Sequence, residues 1–224
     1  MLLAGHMVLA YFINQIIKKK WHFTYSIPLL FCASILPDLD FVFGPIIPHH
    51  TLTHSLTFWA LLCVILISIK RLKGLPYVVA ILSHFLIGDT ITGNPTLFYG
   101  LTNQTFGNFR INIASQYGEA YGMLYQAAVD AIMVGSFVGY VIYRRNFPPL
   151  FSFPLKHVLI LGLVVLLILV GTLKSQILYL TINQNDIVYS AYTIIVVSQV
   201  IFAAVITKGT RTMSLPQFMT TNKQ

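Results

Sequence analysis

Seven apolar runs, at about 2–17, 24–43, 55–69, 75–93, 120–143, 157–173 and 187–207, constrain this 224-residue chain more than any other feature. Apolar runs of about 17–25 residues are long enough to cross a bilayer as helices. A backbone in lipid must satisfy its own hydrogen bonds, and a helix does so within one segment. The runs therefore predict an all-α, polytopic membrane bundle of about seven transmembrane or membrane-embedded helices, forming a single membrane domain over 1–224. Only 9% of the residues are charged, against about 25% in soluble domains, so most of the chain cannot face water. The runs at 2–17 and 55–69 are short and are expected to tilt or dip within the protein. The one long connection between runs is 94–119.

The net charge of +8 does not come from a single basic patch. Basic residues punctuate the apolar runs, a pattern that suits a bilayer and argues against a nucleic-acid partner. With the N-terminus outside, the inner connections and tail hold Lys18, Lys19, Lys20, Lys70, Arg71, Lys73, Arg144, Arg145, Lys156, Lys208, Arg211 and Lys223, twelve of the fourteen basic residues. Arg110 and Lys174 remain for the outer side. The asymmetry predicts a multi-pass protein of the cell membrane, N-terminus outside and C-terminus cytoplasmic. Lys18 to Lys20 follow the first apolar run instead of preceding it, so that run is expected to be a retained helix and not a cleaved signal. Cys32 and Cys63 lie inside apolar runs with no CxxC spacing and are expected to be small core residues.

Against this background the stretch "ILPDLDFVFGPIIPHHTLTHS", residues 35–55, stands out. It gathers two aspartates and three histidines in a chain with six acidic residues and seven histidines. On the predicted topology His6, Asp38, Asp40, His49, His50, His54, His84 and Asp89 all fall in the outer half of the membrane, delivered by four separate elements. A charged group at that depth costs a few kcal/mol or more unless it is paired. A divalent metal offsets that cost, and imidazole nitrogen with carboxylate oxygen suits zinc and similar ions. The set is large enough for one ion, or for two sharing a bridging carboxylate.

Local chemistry constrains the geometry. Pro37 disfavours helix at Leu36, so "PDLD" is expected to bend or start a new turn. Asp38 and Asp40 share a face if extended and stand about 200° apart if α-helical. Pro45 and Pro48 keep "GPIIPHH" out of regular helix. "HHTLTHS" reads as the start of a helix, with Thr51 or Thr53 as its cap and His50 and His54 at i,i+4 spacing. His84 and Asp89 are i,i+5, about 140° apart on a regular helix, so their convergence needs a distortion that Gly88 can permit. Elsewhere, His22 and His157 sit beside lysines and are expected to be solvated at the interface. Asp130 is open to pairing with a cluster histidine or to hydrogen bonding between helices, and Glu119 is expected to be solvated at the outer mouth of its helix.

The order of His6, "LPDLD", "HHTLTHS" and "LSHFLIGDTITG" resembles the YdjM-like family of membrane-bound metal-dependent hydrolases. That family's pattern has an N-terminal histidine, a PD-x-D pair, an H-x4-THS block and an SH…D…T…G block. The resemblance covers roughly residues 1–100, while the helices of 120–207 resemble nothing specific. It implies His6, Asp38, Asp40, His49, His54, His84 and Asp89 as metal ligands, and a distant similarity to zinc-dependent phospholipase C and P1-type nucleases. Two positions depart from the pattern. His50 stands where the family carries arginine, and His84 and Asp89 are five apart where the family spaces them by four.

These readings lead to an expected function: a membrane-embedded hydrolase that uses metal-activated water on a phosphoester or ester, including lipid substrates, at the extracytoplasmic face. The cofactor would be a divalent metal, zinc or similar, as one or two ions. Asp40 or Asp89 would serve as general base, and His50 would steady a developing oxyanion. The alternative is a transporter or a non-catalytic metal-binding membrane protein, since polar groups at membrane depth also mark ion pathways.

Overall fold

The computed structural model describes residues 3–21, 24–43, 52–93, 97–99, 101–102, 104, 109–145, 147–182 and 186–209. His22, His49, His50 and Thr51 lie outside them. The described residues form helices α1 (Leu3–Trp21), α2 (Ile27–Ile35), α3 (Leu56–Lys70), α4 (Leu75–Thr92), α5 (Phe109–Tyr117), α6 (Glu119–Arg144), α7 (Leu155–Ile182) and α8 (Asp186–Lys208). Each predicted apolar run contributes one helix, and α5 is an additional one within the 94–119 connection. Three of them, α4, α6 and α8, are long and apolar enough to cross a membrane, and α7 carries a shorter apolar stretch over Leu155–Leu169.

The helices start and stop where their chemistry requires. Pro28 sits in the first turn of α2, where a missing N–H costs nothing. The Ser55 hydroxyl caps α3 by accepting from Thr57 N–H at 3.1 Å, so the cap lies two residues beyond Thr53, the nearer of the two threonines expected from sequence. Lys18, Lys19 and Lys20 occupy the last turn of α1, and Arg144 that of α6, complementing the negative helix ends. Glu119 and Asp186 open α6 and α8 in the complementary sense.

In the packing, α1 lies against α2, α4 and α6, while α2 also contacts α4 and α7, and α6 runs along α8. Phe31, Phe137, Phe147 and Phe202 interlock with Tyr11 in a buried aromatic core, ring centroids 5.2–5.7 Å apart. Helix α3 is peripheral, with only Trp59 and Cys63 buried along its length. Cys32 and Cys63 are both buried free thiols, as core residues would be.

Candidate metal centre

Two local departures from α-helix build the site. The first begins at Pro37. Helix α2 ends at Ile35, and Leu36–Phe43 continue as a 3-10 helix. Leu36 itself keeps helical dihedrals, so the chain tightens at the proline without becoming extended. A 3-10 helix turns once per three residues, so Asp38 and Asp40 point about 120° apart around its axis. That separation gives the two carboxylates different tasks. The proline has a second effect. The 3-10 partner of the Ser34 carbonyl would be the N–H of residue 37, which proline lacks. The Ser34 carbonyl accepts instead from His84 Nδ1 at 2.6 Å.

The second departure lies in α4, which is α-helical to Ser83, π-helical over His84–Asp89, and α-helical again to Thr92. A π-turn closes over five residues, so the i,i+5 pair meets: His84 Nε2 lies 3.2 Å from Asp89 Oδ2. The threonines of "GDTITG" cover carbonyls in this stretch, Thr90 Oγ1 donating to Phe85 O at 3.0 Å and Thr92 Oγ1 to Gly88 O at 2.9 Å. Gly88 is also needed for a close approach. A Cβ there would lie 2.5 Å from His6 Cε1 and 2.6 Å from His6 Nδ1, so its absence lets the His6 ring pass. His6 stacks on His84 with centroids 3.7 Å apart and an 11° interplanar angle.

His6, Asp38, His54, His84 and Asp89 thus converge and are buried, the most exposed being Asp38 at 6%. His54 stands in a 3-10 turn (Leu52–His54) just before α3. Its Nδ1 lies 3.0 Å from Asp40 Oδ2, which also accepts from Thr53 Oγ1 at 2.9 Å. Asp40 therefore sits behind His54, on the side away from the cluster. A carbonyl and a carboxylate can only accept, so the Nδ1 atoms of His84 and His54 are the donors. Each Nε2 then turns a lone pair toward the cluster, the arrangement by which metal-binding histidines are oriented.

The donor atoms converge tightly. His54 Nε2 and His84 Nε2 are 3.3 Å apart. Asp89 Oδ2 lies 3.4 Å from the first and 3.2 Å from the second, closing a near-equilateral triangle. Asp38 Oδ1 closes another on the same edge, at 3.4 and 3.5 Å. Ligands about 2.0–2.1 Å from a tetrahedral zinc stand roughly 3.3 Å apart, so either triangle matches one face of such a site. Two imidazole lone pairs and two carboxylate oxygens facing one another in a buried space repel without a cation, and a divalent ion supplies one. The sets His6, Asp38, His84 and His54, His84, Asp89 can each hold a metal ion. They share His84, whose Nδ1 is committed to Ser34, so its Nε2 is its one available ligand atom.

Support for His6 comes from far along the chain. Asp130 Oδ1 accepts from Gly5 N–H at 3.0 Å, and Gln199 Oε1 accepts from Ala4 N–H at 3.0 Å. Gln199 Nε2 donates to Asp130 Oδ2 at 2.8 Å, tying the pair together. A helix leaves its first N–H groups without intrahelical partners, and α6 and α8 supply two acceptors to α1 immediately before His6. Of the two roles open to Asp130 from sequence, the bond between helices is the one it makes among the described contacts. Gln199 carried no signal in the sequence, and Thr53, read there as a candidate helix cap, instead donates to Asp40, whereas the Ser34 carbonyl could have been anticipated from Pro37 three residues on. His157 Nδ1 lies 3.0 Å from Ser26 Oγ and Glu119 is exposed, both remote from the cluster in sequence and element.

Comparison with protein-family models, curated proteins and solved structures gives no match for this chain.

Proposed function

We propose that this chain is a multi-pass membrane hydrolase, dependent on a divalent metal of the zinc type, acting on a phosphoester or ester at the extracytoplasmic face. The triangle formed by His54 Nε2, His84 Nε2 and Asp89 Oδ2 carries this reading. In this reading these three donors would hold the ion and Asp38 Oδ1, on the same pair of histidines, is left for water, the pattern of hydrolytic zinc sites, whereas structural sites are closed by four protein ligands. A divalent ion there supplies a Lewis acid and lowers the pKa of coordinated water to about 7.

The side chains divide the work. His54, His84 and Asp89 hold the ion, with Asp38 against the same pair of histidines. Asp40 and Thr53 fix the tautomer and plane of His54, and the Ser34 carbonyl does the same for His84. His6, 3.4 Å from Asp89 Oδ1, steadies that carboxylate from its other oxygen. Asp40 acts as an orienting group behind His54 and Asp89 is engaged through both oxygens, which leaves Asp38 as the carboxylate placed to take a proton from water. The resemblance of "LPDLD", "HHTLTHS" and "LSHFLIGDTITG" to YdjM-like hydrolases supports the same reading. The resemblance would also make His49 a ligand, of a second ion, and set His50 in the arginine position for an anionic substrate; both lie outside the described residues.

A transport pathway would require polar groups continuing toward the lysine-rich helix ends. Asp130, the further carboxylate at depth, is instead engaged with the α1 backbone and Gln199. The test is metal analysis of protein purified in detergent, combined with turnover of a chromogenic phosphodiester. About one to two equivalents of zinc or a similar ion are expected, with turnover lost on chelation and restored by metal. Metal far below half an equivalent, unresponsive to added zinc, would overturn the metalloprotein reading. Bound metal without turnover on phosphodiesters or esters would leave a non-catalytic metal protein.

A further inference from the structure

A cavity of about 790 Å³ opens between α2, α3, α4 and the start of α7. Its lining is segregated by polarity. Lys70, Lys73, Ser26, Tyr77 and His157 come from the ends of their helices, beside Phe153 and Pro154, while Leu29, Cys32, Leu36, Leu66 and Ile81 lie further along α2, α3 and α4. The polar end is held in place by Ser26 N–H donating to Tyr77 Oη at 3.2 Å and by the Ser26–His157 contact at 3.0 Å. From Ser26 to Leu36 the groove follows α2 for ten residues, about 15 Å at 1.5 Å per residue. That is half the roughly 30 Å hydrocarbon core of a bilayer, the depth of one leaflet.

Charge decides the occupant. The lining contains no carboxylate. Of the six acidic residues, Asp38, Asp40 and Asp89 are in the metal cluster, Asp130 is bound to the start of α1, and Glu119 and Asp186 open α6 and α8. None is available to the lysine-rich end. Two ammonium groups above an apolar slot one leaflet deep match a molecule with an anionic head and an acyl chain.

We propose that this groove binds one anionic phospholipid from the leaflet at the lysine-rich end, its phosphate against Lys70 and Lys73 and one acyl chain between α2 and α3. On the topology proposed above this is the cytoplasmic leaflet, opposite the metal centre. The lipid is a resident ligand and not a substrate, because its head lies about 12 Å along α2 from Ser34 and the cluster beyond it. Binding requires neither metal nor hydrolysis.

The test is native mass spectrometry of the full chain in a neutral detergent, titrated with dioleoyl phosphatidylglycerol or dioleoyl phosphatidylcholine. The wild type should retain one phosphatidylglycerol and prefer it to phosphatidylcholine by tenfold or more. Lys70→Gln with Lys73→Gln, both exposed positions, should abolish the preference while leaving metal content unchanged. Leu66→Trp, which fills the slot from a half-buried position, should reduce retention of both lipids. Equal retention of the two lipids by the wild type, or a preference that survives the double lysine variant, would overturn the proposal. A lipid-free dimer would also overturn it, by placing a second copy of the chain on this face.

Discussion

Asp38 and Asp40 are two residues apart and chemically identical, yet one faces the donor cluster and the other backs His54. The difference predicts different mutational behaviour. Asp89→Asn removes the charge from the carboxylate that closes the triangle with His54 and His84, and on the proposed function metal should fall to substoichiometric levels in direct metal analysis. Asp40→Asn keeps the shape but weakens the acceptor behind His54 Nδ1. Losses of such supporting carboxylates typically cost about 10–100-fold in metal affinity, so Asp40→Asn should bind zinc weakly in a competition titration yet still reach full occupancy at high metal. Equal loss of metal in both variants would put Asp40 in direct contact with the ion. From sequence the two aspartates were legible as site residues but not separable, because extended, α and 3-10 backbones direct them differently. Which backbone forms depends on hydrogen bonds that a one-dimensional pattern does not specify.

At the scale of elements, the π-segment of α4 and the start of α1 are fitted to each other. Gly88→Ala would push a methyl into the His6 ring, where the ideal Cβ lies 2.5 Å from Cε1. Overpacking of this kind costs about 1–3 kcal/mol, so the variant should melt earlier and bind metal less tightly, as read by thermal unfolding with and without zinc. Wild-type behaviour would mean that His6 can leave its stack on His84 at no cost. Asp130 tests the other face of the same helix. Asp130→Ala leaves the Gly5 N–H and the Gln199 amide without their acceptor, a loss of about 1–3 kcal/mol for buried groups. Asp130→Asn should be milder, since its remaining oxygen can still accept from Gly5. Both should lower metal affinity through His6 while keeping some metal, because Asp130 holds the α1 backbone at Gly5, next to His6. A complete loss of metal in Asp130→Asn would instead mark it as a ligand.

For the whole molecule, the prediction concerns sidedness. Lys18–Lys20, Lys70, Arg144 and Lys208 stand in the last turns of α1, α3, α6 and α8, whereas His6 lies near the start of α1 and His54 just before α3. Single cysteines introduced at Gln104 and Gln116 should react in intact cells with a membrane-impermeant thiol reagent, while those at Lys73 and Arg145 should react only after permeabilisation. The native thiols, Cys32 and Cys63, are buried and should contribute little background. The reverse pattern would place the metal centre on the cytoplasmic side and the lipid groove on the outer one.

Hydropathy alone determined that the chain is helical and suited to a membrane, since the requirement for internal backbone hydrogen bonding in lipid acts on each segment by itself. The scarcity of ionisable residues likewise marked His6, Asp38, His54, His84 and Asp89, because a charged group at membrane depth needs a reason to be there. The tertiary structure decided how these side chains are used. The bond from Asp130 to Gly5 spans 125 positions and that from Gln199 to Ala4 spans 195, distances at which no local spacing rule operates. The 3-10 turn after Pro37 and the π-turn before Thr90 were fixed by competition for individual carbonyls, Ser34 O going to His84 and Gly88 O to Thr92. The first of these is settled only when the helices pack, because His84 and Ser34 belong to different elements, whereas Thr92 covers Gly88 O within α4.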